Sequence, residues 1–256
     1  MNDAKLLLAL WLALATLAVT RASSQQPDAP QKNSGVGEMS GMEAGGSAAA
    51  MHSMEGRDIK MGPHIKMTLL RPRQPGDAER ANEVVEAARK VAAHYEDYHT
   101  ALKDGFQIFL PNVPQKMYHF TDYRYAIEAG FHFNPEHPTS LLYEKQGNGY
   151  QLIGLMYTAP RSATEQELNQ RIPLSFAQWH EHVNLCLPPK DKRWELLTPH
   201  PRFGPAGSIS TPKACEAAGG TFRPLIFGWM VHVYPFEKHP DEIWSVERQM
   251  HGNAAD

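Results

Sequence analysis

From residue 75 to residue 105 the chain reads PGDAERANEVVEAARKVAAHYEDYHTALKDG. Ala81, Val84, Val85, Ala88, Val91, Ala92, Tyr95 and Leu102 recur at three- and four-residue intervals, which lines one apolar stripe along a helix. Asp77 suits the N-cap, Glu79 suits the first turn, and Gly105 is placed to end the element. The pattern predicts one long helix docked on a sheet. Beyond it the period shortens to two. FQIFL (106–110), KMYHF (116–120), AGFHF (129–133), SLLYE (140–144), YQLIGLMYT (150–158), FAQWHEHVNLCL (176–187) and LIFGWMVHVY (225–234) read as strands, mostly separated by Pro or Gly. Gly147-Asn148-Gly149 predicts a hairpin turn. Two short helices interrupt the strands. One spans 164–171, where Thr164 and Glu167 form a capping box. The other spans 211–220, with Thr211 as cap, Pro212 in the first turn and Gly219-Gly220 at the end. The expected class is α+β: a mainly antiparallel sheet, able to curl into a barrel, with one long N-terminal helix and short helices.

The first residues follow a different pattern. In MNDAKLLLALWLALATLAVTRA, Lys5 precedes an apolar run that is short for a bilayer span and suits a signal-peptide core. Residues 1–22 are therefore read as a signal peptide cleaved after Ala22, with an uncleaved anchor as the alternative. The expected location is periplasmic or secreted, with no stable membrane insertion after cleavage. Residues 23–68 carry no periodicity and read as a disordered leader. A single domain should occupy 69–245, and 246–256 a C-terminal tail.

Composition sharpens this. The formal charge is −3, and loss of Lys5, Arg21 and Asp3 takes the mature chain to about −4. No basic stripe is present, which argues against nucleic acid as a partner. In an exported chain the two cysteines, Cys186 and Cys215, are first a disulfide. Methionine is unevenly spread. Met39, Met42, Met51, Met54, Met61 and Met67 fall within 29 residues of the leader, with His52 and His64 among them. Thioether sulfur suits Cu(I) and imidazole suits Cu(II), so these are candidate leader ligands. The segment resembles the Met/His-rich stretches of periplasmic copper-handling proteins. A linker that merely carries methionine is the alternative.

Thirteen histidines are a high count. In QWHEHVNLC (178–186), strand alternation puts Gln178, His180, His182, Asn184 and Cys186 on one face. Glu181 falls on the other, so this is not the helical zinc motif in which a Glu serves as base. His at i and i+2 of a strand can hold one metal ion. GWMVHVYPF places His232 with Met230 and Tyr234, opposite Trp229, Val231 and Val233. His132 in GFHF and Glu144 at the end of SLLYE are further candidates, while His119 in MYHF ranks lower, as a supporting group or fifth ligand. Three imidazoles and a carboxylate would complete a shell for copper, zinc or iron. Structural histidines are the competing reading at each position.

The run FHFNPEHPTSLLYEKQGNGYQLIGLMYTAP, together with VHVYPF at 231–236, resembles a family of uncharacterised bacterial secreted proteins. They carry a His-x-x-Asn-Pro…Leu-Leu-Tyr-Glu segment and a C-terminal His-Val strand. The resemblance spans about residues 60–245 and implies that His132, Glu144 and His232 lie in the family's motif segments; it carries no activity. The chain is thus expected to be an exported metal-binding protein linked to copper. A metal-dependent oxygenase or hydrolase, or a metal-free envelope-associated binding domain, are the alternatives. No phosphate loop, nucleophile elbow or Cys-x-x-Cys pair is present.

Overall fold

The computed structural model describes residues 62–246 and 248. The candidate ligands Met39, Met42, Met51, His52, Met54 and Met61 lie outside the described residues, as do residues 1–22 and nearly all of 246–256.

In chain order the elements are β1 (Ile65–Met67), α1 (Asp77–His94), α2 (Tyr98–Lys103), β2 (Gln107–Ile108), β3 (Met117–Thr121) and α3 (Tyr123–Glu128). There follow β4 (Ser140–Gln146), β5 (Gly149–Ala159), α4 (Glu165–Arg171) and β6 (His180–Leu187). A 3-10 helix (Lys190–Leu197), α5 (Pro212–Ala217), β7 (Thr221–Val233) and α6 (Pro240–Ile243) complete the chain. All seven strands join one antiparallel sheet in the order β1-β6-β7-β5-β4-β3-β2. The fold is α+β. The sheet does not close into a barrel; β1 and β2 are its two edges.

The single long helix expected over 75–105 is two helices. Asp77 is not its cap: Gly76, at φ 84°, precedes α1, and Asp77 is the first helical residue. Its buried carboxylate accepts from the Gln74 N–H and the Ser175 hydroxyl. The break comes at 95–97, where the Asp97 side chain accepts the His99 N–H and caps α2. A short acidic side chain competes there with the helical ladder for a backbone donor. The apolar stripe of α1 packs on one sheet face against Leu141, Tyr143, Leu155, Tyr157, Val231 and Val233. The Tyr143 hydroxyl donates to the Tyr95 carbonyl at 2.6 Å, fixing the helix end to β4.

Residues 129–133 are not a strand. Asp122 caps α3 by accepting the Arg124 N–H, and the chain turns after Glu128. Arg124 pairs with Asp122 at 2.5 Å. The last residues of the expected disordered leader are ordered: β1 pairs along the outer edge of β6. The hairpin turn joins β4 to β5, with Gln146 opposite Gly149. Cys186 and Cys215 form a disulfide across 29 residues, with Cα atoms 5.5 Å apart, and tie β6 to α5. In the chain-entropy picture such a loop stabilises by about 3–4 kcal/mol. Gly220 makes room for it, because a Cβ there would lie 2.5 Å from the Cys186 sulfur. No helix among the described residues is long and apolar enough to cross a membrane.

Candidate metal centre

The face of the sheet turned away from α1 carries the histidines. Alternation on β7 sends Val231 and Val233 toward the helix and Met230 and His232 to the opposite side. On β3 it sends Tyr118 and Phe120 to the helix, and Met117 and His119 away from it. On β6, Glu181 takes the helix side: it pairs with Lys66 at 3.2 Å, and that ammonium lies 4.6 Å from the Trp229 ring. His180 and His182 take the other side. A register irregularity against β7 falls between them, leaving His180 opposite Met230 and His182 opposite Ile226.

The rings form a contiguous group. Centroid separations are 5.2 Å for His180–His232, 5.6 Å for His180–His182 and 5.7 Å for His119–His232. The last contact decides the shape of the sheet. β3 and β7 are three steps apart, about 14 Å in a flat sheet at 4.8 Å per step. Rings that meet across that span require a strongly curled sheet with the histidines on its concave face. His180 and His232 are buried, whereas His119 and His182 keep part of their surface exposed.

Burial also sets their protonation. It pushes His119 and His182 down to about 4, with a neighbouring histidine as the second cause in each, His182 and His64 respectively. His232 lies well below its ordinary value, first from burial and then from His180, His119 and His182. These rings are neutral at pH 7, the form that binds metal. The Nδ1 atoms of His182 and His232 and the Tyr234 hydroxyl are buried with no hydrogen-bond partner among the described residues. Each such group carries a desolvation cost of about 1–3 kcal/mol that a ligand would relieve. His232 and Tyr234 have ring centroids 6.4 Å apart, and burial raises the phenol far above its ordinary pKa.

Two imidazoles bound to one ion at about 2 Å place their centroids about 5 Å apart in a tetrahedral shell. The separations match that figure. Nevertheless, among the described residues no three His, Cys, Asp or Glu side chains are arranged to hold an ion as they stand. Occupation therefore needs ring rotation or ligands of another type.

The other candidates are placed as follows. His132 stands apart from the group, since the turn after α3 replaces the expected strand. It is exposed and pairs with Glu128 at 2.8 Å, while His137 holds the other carboxylate oxygen at 2.7 Å and stacks on Tyr125. Glu144 is on the histidine face, opposite Met117, but exposed; its charge contributes to the raised Tyr234 pKa. His64 is buried and donates through Nε2 to the Gly207 carbonyl at 2.6 Å if that nitrogen carries the proton. Met67 is the partner of His180 across β1 and β6. His119, ranked low from sequence, is a full member. The alternation of Met117 and His119 with Tyr118 and Phe120 is the signal that marks it. Compared with known proteins, the chain matches no family model, no curated protein and no solved structure.

Proposed function

We propose that this chain is an exported protein that binds one transition-metal ion through the imidazoles of His119, His180, His182 and His232. One observation carries the reading: β6 and β7, together with β3 three places from β7 in the sheet, bring four imidazoles to within 5.2–5.7 Å of a neighbour on one concave face. Imidazole nitrogen favours copper and zinc, with iron also within its range. Most buried polar groups are hydrogen-bonded, and here the Nδ1 atoms of His182 and His232 are buried with no partner among the described residues. The disulfide suits an oxidising compartment and so an exported chain.

The test is metal binding to the full mature chain, by calorimetric titration with Cu(II) and Zn(II), against His180→Ala/His182→Ala. The wild type should bind one ion that the variant binds roughly a hundredfold more weakly or not at all, while leader sites persist in both. Equal tight binding by a folded double variant sinks the assignment.

A further inference from the structure

Sulfur lies on the same concave face. Met230 is the β7 partner of His180, and Met67 is its β1 partner, so His180 has a methionine on each neighbouring strand. Met156 is the β5 partner of His232. Met117 shares the face with His119 on β3. Every methionine among the described residues is one of these four. The large core on the helix side contains none, although it draws on the same strands. The small cluster on the histidine side is built of Met117, Met156 and Met230 with Leu142 and Tyr234. Filling space alone gives no reason for that division, because leucine fills the helix side of β4 and β5.

Cross-strand partners have Cβ atoms about 4.5–5.5 Å apart, so a thioether and an imidazole on such a pair can reach one ion between them. Thioether sulfur is a soft, uncharged donor that selects Cu(I) over Zn(II) and Cu(II). Charge favours the same ion. The thioethers carry no charge, and Glu144, the carboxylate on this face, is exposed at the margin. The cost of burying an ion rises with the square of its charge, so a divalent ion costs about four times as much as a monovalent one in a ligand set without counter-charge.

Building on the reading of the histidine group as a metal site, we infer that its ion is Cu(I) and that Met156 and Met230 are thioether ligands beside His232 and His180. This also accounts for the absence of a ready-made shell of His, Cys, Asp and Glu among the described residues: part of the donor set is sulfur.

The experiment is anaerobic titration of the full chain with Cu(I) against the chelator bathocuproine disulfonate, and separately with Zn(II). The double variant Met156→Leu/Met230→Leu keeps volume and apolarity. It should lose roughly tenfold or more in Cu(I) affinity at one site while its Zn(II) affinity stays put. Unchanged Cu(I) affinity in the folded variant overturns the inference and leaves the methionines as packing. In the wild type, methyl resonances of 13C-methionine assigned to Met156 and Met230 should shift with the first tightly bound equivalent of Cu(I). Resonances that stay fixed overturn it without any variant having to fold. If the wild type holds Cu(I) and Zn(II) no better than His180→Ala/His182→Ala, the metal reading itself has failed.

Discussion

The four imidazoles are best understood one nitrogen at a time. A histidine ring in water takes a proton near pH 6.5. His119 and His182 do so only at about 4, because burial penalises the cation first and a nearby ring adds to the penalty. Between about 4 and 6.5 the unfolded chain therefore binds more protons than the folded one, and acid favours unfolding there. Melting temperature, without metal, should fall as pH drops from about 6.5 to about 4, as read by circular dichroism. His119→Gln/His182→Gln should flatten that slope; a slope unchanged in the folded variant would show that other groups set it. Sequence alternation already separated His180, His182 and His232 from the apolar face. It failed at His132 because Asp122 is a helix cap, and the apolar GFHF run was read as a strand when it lies in the turn that follows. No local pattern could tell that β3 curls round to meet β7, which is why His119 ranked low.

At the scale of elements, each central strand serves two purposes. β4, β5 and β7 present Leu, Tyr and Val to α1 and present Leu142, Met156, Met230 and His232 to the concave side. Those assignments were legible from the period of two. The split of the long helix was less so, since the apolar stripe runs on through Tyr95 and only the side-chain bond of Asp97 marks the break. β1 was missed entirely, because three residues inside a Met-rich, Gly-rich stretch give too little pattern. Close approach inside the curl depends on Gly154. A Cβ there would sit 2.8 Å from the Val233 carbonyl oxygen and 2.9 Å from the Tyr234 ring. The carbonyl belongs to the sheet and has little room to move. Gly154→Ala should destabilise the fold by about 1–3 kcal/mol in a denaturant titration. It should also displace Tyr234 and so weaken metal binding, whereas a variant as stable as wild type would mean that the strands can part at no cost.

For the whole molecule, one face of the sheet packs the large core and the other gathers the histidines and methionines. The helix side carries the continuous core, with Trp179 and Trp229 among its largest members, and the disulfide anchors the far end of β6. Among the described residues, buried polar atoms without a hydrogen-bond partner occur on both sides, Trp179 Nε1 and Glu181 Oε1 toward the helix and the Nδ1 atoms of His182 and His232 on the concave side, at a cost the core offsets. A sheet that curls but never closes has two open edges, and open edges invite other strands. Here both are blunt: β2 has two residues and β1 three. β1 masks the stretch of β6 that bears His180 and His182, pairing Met67, Lys66 and Ile65 against it. A chain begun at residue 69 would bare the backbone donors and acceptors of that stretch. It should pair with a second copy there and sediment faster than the full chain at equal concentration. Three residues at the end of the leader are, in this light, a guard against self-association.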